Sequence, residues 1–132
     1  MVYFQNEIIT LTYEPDLLLM RTQWHGFAGS KAYRHILGKY LQLVREREVQ
    51  LWMSDNTDGK AIRQADQDWT AYKWAPQFAA AAQIRRRAVL MPKDVFNQMA
   101  LDKINSMGRE VFTFETEFFE SEAEARAWLL QK

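Results

Sequence analysis

The segment from residue 17 to residue 53 constrains the fold more than any other part of the chain. Residues 17–24 (LLLMRTQW) are typical of a strand, residues 31–48 have a clear helical period, and residues 49–53 (VQLWM) are typical of a second strand. A strand, a helix and a strand in this order form a βαβ unit, so we expect the two strands to pair in parallel within one sheet. The apolar face of the helix comprises Tyr33, Ile36, Leu37, Tyr40, Leu41 and Val44.

Two positions of this predicted helix need a local explanation. Ser30 is a favoured N-cap residue, because its hydroxyl can accept a hydrogen bond from a backbone N–H group of the first turn. Gly38 lies in the helix interior, where glycine lowers the stability of a helix. We attribute this glycine to close packing of the helix against the sheet.

The N-terminal part predicts an antiparallel strand pair ahead of the βαβ unit. Residues 2–4 are a short apolar start, and residues 8–13 (IITLTY) are rich in the β-branched and aromatic residues that strands favour. The turn Glu14-Pro15-Asp16 is too short for a crossover connection. The strands on either side of it should therefore run antiparallel.

The C-terminal part predicts a short buried strand at residues 88–91 (AVLM), followed by a helix. Asp94 can cap that helix and Gly108 can end it. We expect its inner face to consist of Phe96, Met99, Ala100 and Ile104.

Residues 111–114 alternate in polarity and predict an edge strand with Phe112 and Phe114 on one side. Ser121 and Glu124 have the spacing of a capping box, in which the serine oxygen accepts from a backbone N–H of the first turn. A last helix bearing Ala125, Trp128 and Leu129 should follow.

These elements predict a single α/β domain over residues 1–132, bordering on α+β, with one mixed sheet flanked by four to five helices. The chain has no cysteine, which excludes disulfides, thiol nucleophiles and cysteine-based metal sites and fits a reducing compartment. Neither a secretory signal nor a transmembrane segment is visible, so we expect a cytoplasmic protein.

The charge balance argues against nucleic-acid binding. The chain has 17 basic and 17 acidic residues, whereas a protein that contacts phosphates usually has a basic excess. The short basic run Arg85-Arg86-Arg87 is expected to be a solvated strand entrance. A neutral surface repels itself weakly, which leaves a homodimer open.

The polar turn from Ser54 to Gly59 is a candidate ligand site, because open α/β sheets bind ligands beyond the carboxyl ends of parallel strands. Asp55 and Thr57 are its candidate ligand- or partner-binding residues. Ser54 and Thr57 are also possible phosphoacceptors. The alternative is a solvated loop stabilised by Asx turns and a helix cap.

Neither a metal site nor a cofactor is expected. The turn resembles part of an EF-hand loop, but the position of the bidentate glutamate is Ala65. His25 and His35 have no evident third ligand, and Ser30 lacks the context of a nucleophilic serine. Four aspartates could form a magnesium or acid–base site, but we expect them to be solvated: Asp55, Asp58, Asp66 and Asp68.

Aromatic residues around the following helix are the second candidate site. Trp52, Trp69, Tyr72 and Trp74 could line an apolar groove for a lipid-like ligand or a partner, or could simply be core residues. Trp69 and Tyr72 are expected to share one face of the helix. Pro76 either ends this helix or opens a second one at its first turn.

Several motifs together resemble the SpoIIAA-like family of small bacterial STAS-like and CRAL-TRIO-like α/β proteins. They are YFQNE at residues 3–7, Trp24 with Gly26, LWMSD at residues 51–55, ADQDW followed by W-A-P within residues 65–76, and FESEAEARAWL at residues 119–129. The resemblance covers the whole chain and implies a mixed sheet flanked by helices. It implies no particular chemistry.

The true anti-sigma-factor antagonists of that family carry a phosphorylated serine in an Asp-Ser-Ser-Gly-like turn. The matching turn here, Ser54 to Gly59, does not reproduce that motif. The sequence therefore favours a non-enzymatic binding or regulatory module that engages a protein partner or a second copy of itself. The alternative is a carrier or sensor of a small apolar ligand, and phospho-regulation is a third option.

Overall fold

A computed structural model describes residues 1–107 and 111–131, and these form one mixed sheet with helices on both faces. The strands follow one another across the sheet in sequence order. Strands β1, β2 and β3 are antiparallel, whereas β3, β4, β5 and β6 run parallel. The strands are β1 (Val2–Gln5), β2 (Ile9–Glu14), β3 (Leu19–Trp24), β4 (Leu51–Asp55), β5 (Arg86–Leu90) and β6 (Glu115–Phe119).

Five α-helices flank the sheet, so the predicted α/β class and the N-terminal antiparallel arrangement are confirmed for the described residues. Helices α1, α2 and α3 cover one face, and α5 packs on the other. Helix α4 contacts α2 and therefore lies on the side of α1. The helices are α1 (Ser30–Glu46), α2 (Gln64–Trp69), α3 (Ala75–Ala81), α4 (Val95–Met107) and α5 (Glu122–Leu129).

Strand β4 is buried along its whole length and separates two hydrophobic cores. Because successive side chains of a strand point to opposite faces, Leu51 and Met53 join the core under α5, whereas Trp52 joins the core under α1 and α3. The predicted inner face of α1 is confirmed, with Leu43 added to it. The βαβ unit thus supplies the centre of both cores.

A π-helical segment (Thr70–Trp74) joins α2 to α3 without a break. Its wider turn shifts the phase of the side chains, so the segment buries Thr70, Ala71 and Trp74. Tyr72 is 65% exposed, and the expectation that it shares an inner face with Trp69 is wrong. Pro76 lies in the first turn of α3, as one of the two alternatives predicted.

Helix α4 is rotated relative to the prediction. Phe96 and Met99 are 73% and 63% exposed, whereas Asn97 is buried. The Gly59 backbone accommodates the buried Asn97 amide, because a Cβ atom there would lie 3.0 Å from Nδ2 of Asn97. The missing side chain makes room for the Asn97 amide. Ala100 and Ile104 are buried as predicted.

The ends of α4 were predicted from Asp94 and Gly108. The Asp94 carboxylate accepts hydrogen bonds from the backbone N–H groups of Phe96 and Asn97, at 2.9 and 3.4 Å, which confirms the cap. Gly108 lies outside the described residues. Ser121 caps α5 as predicted, accepting from the backbone N–H of Glu124 at 3.4 Å.

The last strand lies later in the chain than the sequence predicts. It is β6 (Glu115–Phe119) rather than residues 111–114. Phe112 and Phe114 do share one side, since their rings stack at a centroid distance of 5.0 Å. Both rings contact the guanidinium group of Arg87. The alternating polarity of residues 111–114 therefore places two rings against Arg87 and does not mark a strand.

Both local explanations offered for α1 are wrong. Ser30 does not cap the helix; Gly29 holds the N-cap position, and the Ser30 hydroxyl donates to Oδ2 of Asp66 at 2.8 Å. Gly38 is exposed, and a Cβ atom there would have no heavy atom within 4 Å. The glycine therefore makes no close approach to the sheet.

We expect Gly38→Ala to stabilise the protein by about 1 kcal/mol, because alanine is the better helix former and no atom opposes its methyl group. Urea denaturation followed by circular dichroism measures this change. Lys31→Ala, at an exposed position of the same helix, is the matched control and should change stability by only a few tenths of a kcal/mol. A loss of stability in Gly38→Ala would show that the position does need close approach.

Candidate functional site

A pocket lies between the sheet, α1, α4 and the π-helical segment, near the carboxyl ends of β3 and β4. Its cavity volume is about 80 Å³. A water molecule needs roughly 10–15 Å³ of such space, so the cavity holds several waters or a small ligand. The loop after β4 forms one rim through Gly59 and Lys60.

The register of the parallel strands brings polar and aromatic side chains to the floor of the pocket. Trp52 pairs with Arg87 of β5, and Ser54 pairs with Thr22 of β3. Alternate residues of a strand share a face, so Trp52, Ser54 and Arg87 all lie on the face covered by α1 and α3. All three line the pocket, and Trp24 at the end of β3 lines it as well.

Six aromatic side chains contribute to the wall: Trp24, Tyr33, Tyr40, Trp52, Trp74 and Phe112. The indole of Trp74 stacks on Phe78 at a centroid distance of 4.6 Å, and Trp52 contacts Phe78 at 5.2 Å. Tyr40 meets Trp52 and Trp74 edge-on at 6.0 and 6.1 Å. On the other side of the pocket, the rings of Trp24 and Tyr33 stack at 5.7 Å. Such contacts hold the rings in fixed positions and give the pocket a firm shape.

Arg87 is a buried cation in this aromatic wall, only 8% exposed. Its guanidinium carbon lies 5.1 Å from the ring centroid of Trp52, with Phe112 at 5.9 Å and Phe114 at 5.8 Å. Burial lowers the pKa of Arg87 to about 10. The side chain therefore still carries its positive charge at neutral pH.

Two of the lining residues carry a buried polar atom whose hydrogen bonding is incomplete. The side-chain oxygen of Asn97 and the hydroxyl of Tyr40 meet no hydrogen-bond partner of acceptable geometry within residues 1–107 and 111–131. Burial raises the pKa of Tyr40 well above its ordinary value, and weak hydrogen bonding of its hydroxyl to Thr22 and Trp24 offsets only part of this effect. Buried polar atoms are normally satisfied, so a water or ligand group beside these two residues would complete their hydrogen bonding.

A separate buried network fastens the π-helical segment to α1. The hydroxyls of Tyr33 and Thr70 are 2.8 Å apart, and the Thr70 hydroxyl donates to the carbonyl of Asp66 at 2.6 Å. The Asp66 carboxylate accepts from Ser30 at 2.8 Å and from Nε of Arg34 at 3.1 Å. Asp66 is fully buried, so the expectation that it is solvated is wrong, and its role is to join two helices.

The turn after β4 is more packed than the solvated-loop alternative predicts, but the Asx turn of that alternative is confirmed, because the backbone N–H of Thr57 donates to Oδ1 of Asp55 at 3.1 Å. Asp55, Asn56 and Gly59 are buried, and Asp58 is exposed. The Asn56 amide donates to the Ser54 hydroxyl at 3.1 Å, and the Thr57 hydroxyl donates to Oδ1 of Asp55 at 2.7 Å. These bonds fix the turn that forms the rim of the pocket.

Only some of the site residues predicted from the sequence line the pocket. Trp52, Ser54 and Trp74 line the pocket. Asp55 lies on the opposite face of the sheet, where its carboxylate pairs with Arg21 at 3.1 Å. Thr57 donates hydrogen bonds to the same carboxylate from its backbone N–H and its hydroxyl.

The remaining two selected residues lie outside the pocket lining. Tyr72 points to solvent. Trp69 packs edge-on against Tyr33 at 6.5 Å and lies under the guanidinium of Arg34 at 5.2 Å. Trp69 therefore packs against the core beside the pocket, whereas Tyr72 lies on the solvent side.

Sequence reasoning missed Arg87, Tyr40 and Asn97. The expectation that the arginine run is a solvated strand entrance is wrong for Arg87, although Arg85 is exposed. The position of Arg87 inside a buried strand, one residue before Ala88, was the available signal. Successive side chains of a strand point to opposite faces, so Ala88 faces α5 and Arg87 lies on the face covered by α1 and α3.

Among the described residues, no group of three or more histidine, aspartate or glutamate side chains is arranged to hold a metal ion. Within the same residues, no helix combines the length and apolar character needed to cross a membrane.

Comparison of the chain with protein-family models, curated proteins and solved structures gives no match.

The two buried tyrosines of the site should respond differently to loss of the hydroxyl. We expect Tyr33→Phe to lower stability by about 1 kcal/mol, because it removes the hydrogen bond to Thr70. Tyr40→Phe removes a hydroxyl that has no such bond among the described residues, so stability should stay equal or rise. Urea denaturation at pH 7 measures both variants.

The same variants should differ from the wild type at high pH. Burial raises the pKa of both tyrosines in the folded protein, whereas the unfolded chain ionises near pH 10. The two neutral hydroxyls therefore contribute to the free energy of unfolding below pH ~10, and this contribution is lost as the pH rises further. Each phenylalanine variant should lose less stability than the wild type between pH 9 and pH 11. An unchanged alkaline slope in both would contradict the raised pKa values.

Proposed function

We propose that this chain is a non-enzymatic binding module that receives a small, largely apolar ligand in the pocket between the sheet and α1. The observation that supports this most is the combination of an aromatic wall with buried polar atoms on one cavity. Ligand pockets are typically apolar with a few polar groups that fix orientation. A core that only needed packing would leave neither the space nor the polar atoms.

The backbone around the pocket supports the same proposal. The π-helical segment contributes Thr70 and Trp74 to the lining, and π-helical turns occur frequently at functional sites. The rim is closed by the packed turn after β4 and by Asn97 on α4. The pocket is therefore formed before a ligand enters, which lowers the cost of binding.

The test is an NMR titration of the protein with toluene, a neutral apolar probe. The five tryptophans give five indole N–H signals, and three of these residues line the pocket. We expect the signals of Trp24, Trp52 and Trp74 to shift. Trp128 is the internal control, because it packs on Phe119 in the opposite core. Shifts of equal size at all five indoles would contradict a specific pocket.

A matched pair of variants on α4 locates the binding. Leu101→Trp should fill the pocket and abolish the toluene shifts, because Leu101 lines it. Met99→Trp adds the same side chain to the exposed side of the helix and should leave them intact. Organic extraction and mass spectrometry of the wild type would show whether an apolar compound co-purifies.

The second proposal is a module that engages a protein partner, here a second copy of the chain. Val95, Phe96 and Met99 expose a continuous apolar side of α4, and the zero net charge offers little repulsion between copies. We also propose that the chain is related to the SpoIIAA-like family, on the sequence motifs described above. For location we propose the cytoplasm, since the chain lacks cysteine.

Light scattering over a range of concentrations tests the homodimer. We expect the mass to rise to that of two chains, and Phe96→Ser to return it to one chain because it removes an apolar side chain that is 73% exposed. Val2→Ser, an exposed apolar residue of edge strand β1, serves as the control and should remain dimeric. A single-chain mass at every concentration would exclude this proposal.

A further inference from the structure

Four uncharged residues lie together in the lining of the pocket: Ser54, Asn56, Gly59 and Asn97. The Asn56 amide donates to the Ser54 hydroxyl at 3.1 Å, and the backbone N–H of Gly59 donates to the Asn56 carbonyl at 3.0 Å. The side-chain nitrogen of Asn97 approaches Gly59 so closely that a Cβ atom there would lie 3.0 Å from it. These contacts make one continuous group, which we call the neutral cluster.

The side-chain oxygen of Asn97 distinguishes the neutral cluster from ordinary packing. Asn97 is 3% exposed, and its oxygen has no hydrogen-bond partner of acceptable geometry in the part of the chain that the structure describes. The nitrogen of the same amide lies toward Gly59, so the oxygen is the branch left without a contact of its own. An apolar side chain at this position would avoid the unfavourable burial of an unpaired acceptor. A ligand donor beside Asn97 would satisfy the oxygen.

The neutral cluster also offers a donor. The Ser54 hydroxyl accepts a hydrogen bond from Asn56, and a hydroxyl that accepts in this way keeps its own proton to donate. A ligand hydroxyl both donates and accepts, so it suits the Asn97 oxygen and the Ser54 proton. An ether or a ketone only accepts and would leave the Asn97 oxygen unpaired.

A neutral polar group suits the pocket better than a charged one. No member of the neutral cluster is charged. The buried cation Arg87 is already engaged within the chain, by three aromatic rings among other contacts. Lys60 is exposed at the rim. An ionised ligand group would therefore lose its hydration with no counter-charge reserved for it, which is costly.

We infer that the pocket binds a compact, neutral ring compound that bears a hydroxyl, with the hydroxyl at Asn97 and Ser54. The ring would lie against the indoles, since Trp24 borders the neutral cluster with its Cβ atom 3.3 Å from the Cβ position of Gly59. The cavity of about 80 Å³ favours a single ring over a long chain. This inference rests on the proposed function, because it specifies the polar group of the ligand of the same pocket.

The test compares phenol with toluene, which have nearly the same shape because a hydroxyl takes the place of a methyl group. Both are titrated at pH 7, where phenol is neutral, and followed by the indole N–H signals of Trp24, Trp52 and Trp74. We expect phenol to bind about tenfold more tightly, because it pairs a buried acceptor that toluene leaves unpaired. A cavity without such an acceptor would prefer toluene, since burying an unbonded hydroxyl is unfavourable.

The outcomes separate this inference from the proposed function. Toluene binding that equals or exceeds phenol binding would overturn the inference and leave the proposed function standing. If neither probe shifts the three indole signals, both fail. Benzoate is the charged comparison and should bind more weakly than phenol. Tighter binding of benzoate would overturn the neutral class of ligand.

Two variants test the assigned residues. Asn97→Leu removes the unpaired oxygen and nearly keeps the size of the side chain, so the order of affinities should reverse in favour of toluene. Met99→Leu, on the exposed side of the same helix, is the matched control and should keep the preference for phenol. Ser54→Ala is the second variant, because Asn97→Leu also changes the packing against Gly59. It should weaken phenol several-fold and leave toluene nearly unchanged. A preference for phenol that persists in both variants would overturn the assignment.

Discussion

The alternation of side chains along β4 is the constraint on which the rest of the structure depends. This strand pairs in parallel with β3 and β5 and is buried on both faces, so each of its side chains must fit one of two cores. Leu51 and Met53 face α5, and Trp52 faces α1. A shift of one residue would place the Trp52 indole under α5 and remove the floor of the pocket.

The register of β4 also determines the environment of Arg87. Arg87 pairs with Trp52, so its guanidinium enters the aromatic side of the sheet rather than solvent. Burying a charge is costly, and here the faces of three rings, from Trp52, Phe112 and Phe114, offset part of that cost. Phe112 and Phe114 belong to the connection into β6.

The sequence predicted the strands and helix of the N-terminal half because the signals for them are local. The period of α1 and the short connection to β4 predicted the parallel pairing, and the turn at Pro15 predicted the antiparallel one. The pocket was only partly predictable. Trp52 and Trp74 were selected for their size, but the phase of Tyr72 depended on a π-helical segment that hydrophobic periodicity does not reveal. The burial of Asn97 depended on the missing side chain of Gly59, across the pocket rim.

Ion pairs hold two acidic side chains outside the pocket. Asp55 pairs with Arg21 on the opposite face of the sheet, and Asp66 pairs with Arg34 between α1 and α2. Both pairs also join elements of the scaffold. The pocket wall among the described residues is therefore built mainly from apolar and aromatic side chains, which is the character that an apolar ligand requires.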